Sequence, residues 1–168
     1  MIRKIAEEFY NLLRDSAHKA YVDRIKSIYQ IHPSFVIGHG TIIAGSGSIE
    51  IGANSYIGYN SFITAEPSNC KIVIGAHCSL GHNIHIRTQR HVKKRHYKNE
   101  LNSPLEGADI IIGDYVWIGT NVYISGGVSI GENVIIGANS VVTKNIPPNT
   151  IYAGVPARLI RQKSEYIE

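Results

Sequence analysis

Residues 112–142 read IGDYVWIGTNVYISGGVSIGENVIIGANSVV, and every sixth position of this stretch is aliphatic. The series is unbroken, and its members are Ile112, Ile118, Ile124, Ile130, Ile136 and Val142. A period of six matches neither the period of a helix nor the alternation of a single strand. It predicts a short strand and a corner that repeat, so that three units form one triangular coil with the aliphatic side chains inside.

The same period continues toward the N-terminus in shorter series. These are Ile31, Ile37, Ile43 and Ile49, then Ile51, Ile57 and Ile63, then Ile74, Leu80 and Ile86. Three residues after an aliphatic position an asparagine recurs, at Asn54, Asn60, Asn83, Asn121, Asn133 and Asn139. Asparagine tolerates the left-handed backbone region that a tight corner requires, so these positions are predicted corners.

Insertions interrupt the repeats, and the longest covers residues 87–111. A segment of that length without repeats, inside a compact domain, is typical of a functional loop. A shorter insertion between Ile63 and Ile74 carries Glu66. Both are predicted to leave the coil wall.

Two further segments flank the coil, which is predicted over residues 31–155. Residues 1–30 are predicted to form a cap of two helical stretches, because apolar residues recur there at helical spacing. The two apolar stripes are Ile5, Phe9, Leu12 and Leu13, and Tyr21, Ile25, Ile28 and Tyr29. Residues 156–168 are predicted to form a short basic helix and tail.

Composition limits the class of protein. A chain of 168 residues suits one domain, and the absence of a long apolar run argues against a membrane span. The charged N-terminus lacks a signal-peptide pattern, which predicts a cytoplasmic protein. Cys70 and Cys78 make neither a disulfide framework nor a four-ligand zinc site. A net charge of +4 fits an anionic small-molecule ligand and gives little support for nucleic-acid binding.

Residues 112–161 closely resemble the maltose, galactoside and nodulation O-acetyltransferases of the hexapeptide-repeat class. The matching motifs are IGDYVWIG at 112–119, VVTKNIPPN at 141–149 and AGVPARLIR at 153–161, and the resemblance runs back to Ile51. It implies an all-β fold, a left-handed parallel β-helix with N-terminal helices and a short C-terminal helix. It also implies a homotrimer that uses acetyl-CoA, needs no metal, and acetylates a hydroxyl of a small-molecule or oligosaccharide acceptor.

The resemblance implies that His91, in the long insertion, is the general base. A hydroxyl must lose its proton as it attacks a thioester, and imidazole is the side chain suited to accept that proton near neutral pH. His96 lies deeper in the same insertion, and His85 lies on a regular coil edge. Both are rival candidates, and His91 is favoured because it follows the coil wall most closely.

The resemblance also implies the ligand contacts. For acetyl-CoA they are Trp117, Thr120, Ala138, Thr143, Lys144, Arg158 and Arg161. The acceptor candidates are Asn60, which matches a substrate-binding asparagine of the sugar acetyltransferases but also fills a corner position, and Glu66, which lies in the shorter insertion. Arg158 and Arg161 would lie one helical turn apart and pair with phosphates.

Other functions remain open at this point. His77 and His82 have the five-residue spacing of a γ-carbonic-anhydrase zinc site, with His39 as the only third candidate. A non-catalytic scaffold is a second alternative, and an acetyltransferase that acts on serine or an amino sugar is a third.

Overall fold

The structure is a computed structural model that describes residues 2–90 and 106–163. Most of its strands form three sheets, which are parallel except for the last strand of the second sheet, and each sheet is one side of a triangular coil. The first sheet contains β1 (Gln30–Ile31), β4 (Ser48–Ile51), β7 (Lys71–Ile74), β12 (Ile110–Ile112) and β15 (Ser129–Ile130). The second contains β2 (Val36–Ile37), β5 (Tyr56–Ile57), β8 (Ser79–Leu80), β13 (Trp117–Ile118), β16 (Ile135–Ile136), β18 (Thr150–Ala153) and β19 (Arg158–Gln162).

The third sheet contains β3 (Ile42–Ala44), β6 (Phe62–Thr64), β9 (His85–Arg87), β14 (Tyr123–Ser125) and β17 (Val141–Val142). A separate antiparallel pair consists of β10 (Gln89–Arg90) and β11 (Glu106–Gly107). One helix, α1 (Ile2–Ile28), precedes the strands in the described chain. The parallel β-helix predicted from the six-residue period is therefore present.

Successive coils stack in register, and this register builds the core. Ile63 pairs with Ile86, Ile86 with Ile124, and Ile124 with Val142. All four side chains are buried. Burial of an aliphatic side chain of this size contributes about 1.5–3 kcal/mol, so the stacked series is the main source of stability.

The asparagine corners adopt the predicted backbone conformation. Positive φ angles between 54° and 60° occur at Asn54, Asn60, Asn83, Asn121, Asn133 and Asn139. The side chains are also linked, because Asn83 Nδ2 donates to Asn121 Oδ1 at 3.0 Å and Asn121 Nδ2 donates to Asn139 Oδ1 at 3.1 Å. His77 and Tyr115 occupy two further corners, where their rings stack.

The prediction of two N-terminal helical stretches is wrong, because α1 is continuous. No glycine or proline lies between Ile2 and Ile28 to interrupt it. Only its C-terminal half packs on the coil, through the buried Ile25 and through Tyr21, whose hydroxyl accepts the N–H of Ile43. The first apolar stripe does not pack on the coil, and its members Ile5, Phe9, Leu12 and Leu13 are each more than half exposed.

The predicted C-terminal helix is also wrong, because Arg158–Gln162 form strand β19, which pairs antiparallel with β18. The last coil presents unpaired backbone groups at the edge of β18, and a returning strand satisfies them. Gly154, with φ of 100°, lies in the turn that reverses the chain. The local helical spacing of the basic residues is overridden by this long-range pairing.

The flanking strands extend into the predicted loop 87–111 from both ends, so the insertion is shorter than predicted. Arg87 still belongs to β9, and Ile110 already belongs to β12, where it pairs with Ile72. Between them, β10 and β11 form a paired stem that leads into residues 91–105. The predicted base His91 and its rival His96 lie outside the described residues.

Within residues 2–90 and 106–163, no helix combines the length and the apolar character needed to cross a bilayer. The cytoplasmic location stays a prediction from the sequence.

We expect Ile72→Ala to lower the free energy of unfolding by about 2–5 kcal/mol, because it leaves a cavity in the core. Ile72 is 0% exposed and pairs with strands on both sides. Urea denaturation followed by circular dichroism measures the change. The neighbouring Lys71 is exposed, and Lys71→Ala should change the value by less than about 0.5 kcal/mol. Equal losses in the two variants would contradict the assignment of the core.

Candidate active site

The corner between the second and third sheets, which we call the second corner, carries a column of residues that follow Ile-Gly or Leu-Gly pairs. Its members are His39, Tyr59, His82, Thr120 and Ala138. The carbonyl of His82 accepts the N–H of Asn121, and the carbonyl of Thr120 accepts the N–H of Asn139, both at 2.9 Å. Thr120 and Ala138, two predicted donor contacts, therefore lie one above the other, about 4.8 Å apart along the axis.

Backbone N–H groups at this corner are free to bind a ligand. Those of His82, Thr120 and Ala138 donate to no protein acceptor in the described residues. The N–H groups on either side of Thr120 are used, since Gly119 donates to Ile136 and Asn121 to His82. An unpaired N–H at the surface needs water or a ligand as its acceptor. The second corner thus presents a line of donors parallel to the coil axis.

The corner between the first and second sheets, the first corner, has different chemistry. Asp114 and Glu132 hold the positions there that Thr120 and Ala138 hold at the second corner. Oδ1 of Asp114 already accepts the N–H of Ala76 at 2.7 Å. Carboxylates at this corner repel an anionic ligand. The second corner is therefore the better surface for an anionic ligand rich in carbonyl groups.

A cleft of 310 Å³ lies at the C-terminal end of the coil. Thr143, Lys144 and Arg158, three of the predicted donor contacts, line it together. The two basic side chains are exposed and would attract phosphate groups. The structure thus brings together residues that are distant in sequence.

Arg161 lies on the same face of β19 as Arg158, although the segment is a strand and not the predicted helix. Arg158 pairs with Ala153, and Arg161 pairs with Ile151, because an irregularity in the pairing leaves Ile160 out of register. Ala153 and Ile151 are two residues apart and share a face. The bulge in β19 therefore keeps the two guanidinium groups on one side.

Trp117 points outward from the second sheet and is 55% exposed. It is the residue before Ile118 in β13, and Gly119 separates that strand from Thr120. The indole therefore borders the line of free N–H groups from the side of the second sheet.

The outer face of the third sheet connects the second corner with the long insertion. Arg87, at the end of β9, pairs with Ser125. Because Ile124 pairs with Val142, Thr143 continues the row of Arg87 and Ser125. The root of the insertion and the C-terminal cleft thus lie along one edge of this sheet, about 10 Å apart across two coils.

A pocket of 260 Å³ lies on the same outer face. It is lined by Phe62, Thr64, His85 and Arg87. The rings of Phe62 and His85 stack with their centroids 5.1 Å apart. The pocket was not predicted from the sequence, since only the register of β6 on β9 brings these outward residues together. The sequence did contain one signal: Phe62 and His85 each precede a buried isoleucine of the repeat, and the residue in that position points outward.

The two predicted acceptor contacts flank β6, the strand that supplies Phe62 and Thr64 to that pocket. Asn60 is exposed at a corner, where its N–H donates to the carbonyl of His39. Glu66 is exposed, and its Oε2 accepts a hydrogen bond from Gln89 Nε2 at 3.1 Å. Glu66 therefore contacts the stem of the insertion at β10, the strand that ends at the residue before His91.

The histidines considered as zinc ligands lie apart. His77 stacks on Tyr115 at the first corner, whereas His82 stacks on Tyr59 at the second. His39 stacks on His18, from α1, at 3.9 Å. In the described part of the chain, no three side chains of His, Cys, Asp or Glu gather as a metal-ligand set.

Residues 109–144 match the family described as "Bacterial transferase hexapeptide (six repeats)". The chain is 39% identical over 115 residues to the galactoside O-acetyltransferase of Escherichia coli K12, an alignment that covers 68% of this chain and 54% of the relative. The chain thus spans about half the length of that relative.

Solved structures extend the likeness. The maltose O-acetyltransferase of Clostridium difficile 630 superposes with a TM-score of 0.71 and 34% identity, covering 85% of this chain and 74% of that one. A hexapeptide-repeat acetyltransferase of Vibrio cholerae O1 biovar eltor, complexed with acetyl-CoA, superposes with a TM-score of 0.70 and 28% identity, covering 89% and 79%. The predicted left-handed parallel β-helix is thereby confirmed. The chain belongs to the family of hexapeptide-repeat acetyltransferases.

Proposed function

We propose that the protein transfers an acetyl group from acetyl-CoA to a hydroxyl of a sugar or polysaccharide unit. The observation that carries the proposal is the line of free N–H groups at the second corner. The two amide carbonyls of an extended pantetheine arm are about 5 Å apart. That spacing is close to the coil repeat of about 4.8 Å. The acetyl-CoA complex of the Vibrio relative, and the sugar substrates named for the other two relatives, support the two substrate classes.

The nucleotide end of acetyl-CoA is assigned to the C-terminal cleft. Thr143, Lys144 and Arg158 line it, and Arg161 shares the strand face of Arg158. The arm then runs from Ala138 to Thr120, with Trp117 along its side. This direction takes the thioester away from the basic cleft and toward the coils that precede the insertion.

The acceptor is assigned to the outer face of the third sheet, in the pocket of Phe62, Thr64, His85 and Arg87. A stacked aromatic surface suits the apolar face of a sugar ring, and Thr64 and Arg87 supply polar contacts. Asn60 and Glu66 border this region and remain our proposed acceptor contacts. Serine and amino sugars stay as alternative acceptors, and a substrate panel distinguishes them.

The reaction is a direct transfer within a ternary complex. His91 takes the proton of the acceptor hydroxyl, whose oxygen attacks the thioester carbonyl; the C–S bond then breaks and CoA leaves as the thiolate. A free N–H of the second corner stabilises the oxyanion. Cys78 is not an acyl carrier: it is fully buried, its thiol bonds to the carbonyl of Gly113, and burial raises its pKa.

The first test measures CoA release from acetyl-CoA with a panel of neutral sugars, acidic sugars, amino sugars, oligosaccharides and serine. We expect turnover that depends on a sugar acceptor.

His91→Ala should lower kcat at least ~10²-fold and leave the affinity for acetyl-CoA nearly unchanged. In the wild type, kcat/KM should fall toward low pH as imidazole becomes protonated.

His96→Ala is the matched control and should retain most of the activity. Loss of activity in His96→Ala, with retention in His91→Ala, would assign the base to His96. No CoA release with any acceptor would contradict the proposed activity itself.

A second prediction concerns the nucleotide. Arg158→Ala and Arg161→Ala should each weaken acetyl-CoA binding about 10-fold, because a charge-assisted phosphate contact is lost. Binding of acetyl-pantetheine, which lacks the nucleotide, should stay nearly unchanged. Isothermal titration measures both ligands, with Lys71→Ala as a control cation outside the cleft. Equal losses for both donors would show that the arginines do not contact the nucleotide.

We also propose that the protein is a homotrimer in which the donor groove and the insertion of adjacent subunits meet. Exposed apolar side chains on the outer faces that have no proposed ligand role support this, among them Val36 and Tyr56 on the second sheet and Ile42 on the third. Sedimentation equilibrium should give three times the mass of the chain. A stable monomer at the concentration of the activity assay would be inconsistent with the trimer.

A further inference from the structure

The line of free N–H groups at the second corner ends at His82. The next N–H in the column, that of Tyr59, is not free, because it donates to Nδ1 of His82 at 2.9 Å. The His82 side chain thus folds back toward the N-terminal coils and occupies the position that the next ligand carbonyl would take. Toward the C-terminus, Thr120 and Ala138 are small and leave the line open.

A stacking contact holds the imidazole of His82 in place besides that hydrogen bond, and a neighbouring glycine makes room for it. Its ring stacks on the ring of Tyr59, with centroids 5.0 Å apart and planes 7° from parallel. Gly58 leaves the space that the folded ring needs, since a Cβ added there would clash with Nδ1 of His82. The ring therefore forms a fixed boundary across the end of the line.

The proposed function sets the direction in which acetyl-CoA meets this boundary. With the nucleotide in the cleft around Lys144, the arm passes Ala138 and Thr120 and the acyl group points toward His82. An acyl-pantetheine has two amide carbonyls and one thioester carbonyl, and the line offers free N–H groups at Ala138, Thr120 and His82. The carbon chain beyond the thioester carbonyl then faces the imidazole.

We propose that His82 is the end wall of the acyl site and restricts the donor to short acyl groups such as acetyl. This inference rests on the proposed function and adds a specificity-determining residue to it. The wall acts by shape: a longer acyl chain would have to displace a ring that is hydrogen-bonded and stacked. A pocket wall of this kind typically changes discrimination by about 10–200-fold for each methylene.

The test compares butyryl-CoA with acetyl-CoA, each with the best acceptor found in the panel. In His82→Ala, the ratio of kcat/KM for butyryl-CoA to that for acetyl-CoA should rise at least ~10-fold over the wild type. His77→Ala is the matched control, because His77 also stacks on a tyrosine at 5.0 Å but lies at the first corner. Its ratio should equal that of the wild type.

A second variant guards against misfolding. His82→Asn removes the ring and retains a side-chain oxygen that can accept the N–H of Tyr59, and it should also raise the ratio. Dissociation constants for the two acyl-CoA molecules give a readout that does not need turnover. Binding with an unchanged ratio in both His82 variants, or an equal rise in His77→Ala, would overturn the role of His82. Failure of the wild type to bind any acyl-CoA would instead overturn the proposed function, and the acyl site with it.

Discussion

The hydrogen-bonded register between successive coils is the constraint on which the rest of this structure depends. Each interior strand of the three coil sheets pairs with the strand one coil above and one coil below, as Trp117 does with Ile135 and Ser79. Residues at the same repeat position of successive coils therefore stack into a column along one edge of the coil. A slip of one residue would turn the buried isoleucines of a coil outward, so burial of the core enforces the register strongly. The positive-φ corners give each turn the geometry that this stacking needs.

Because equivalent positions stack into columns, the side chains at each position decide the charge and the openness of one corner of the coil. The first and second corners have the same backbone, and both follow an Ile-Gly pair. Asp114 and Glu132 make the first corner anionic, whereas Thr120 and Ala138 leave the second neutral and open. The fold therefore supplies the free N–H groups, and a few side chains decide which corner a ligand can use. A hexapeptide coil without such an asymmetry would have no preferred groove.

Local repetition was sufficient to predict the coil. The inward isoleucines and the asparagine corners are each decided by residues within one repeat, and both predictions are confirmed. The continuity of α1 was also a local signal, the absence of glycine and proline, whereas strand β19 was missed for a different reason. The conformation of Arg158–Gln162 depends on the free edge of β18, which is absent from the local pattern. The pocket beside Arg87 depends likewise on the pairing of Phe62 with His85, because the insertion between their coils shifts these two residues out of the simple period.

The proposed division of roles within the site follows from what holds each group. The N–H of Thr120 lies between two residues whose own N–H groups are bonded to neighbouring coils, so it is fixed by the fold itself. Its side chain affects ligand binding only through size, because any small residue leaves the same N–H exposed. Under the proposed function, recognition of the pantetheine arm would be preorganised and tolerant of substitution. The proposed acyl end is different, since a side chain, His82, would close it. Substitutions at this position can therefore alter acyl selectivity while the backbone that binds the arm remains unchanged.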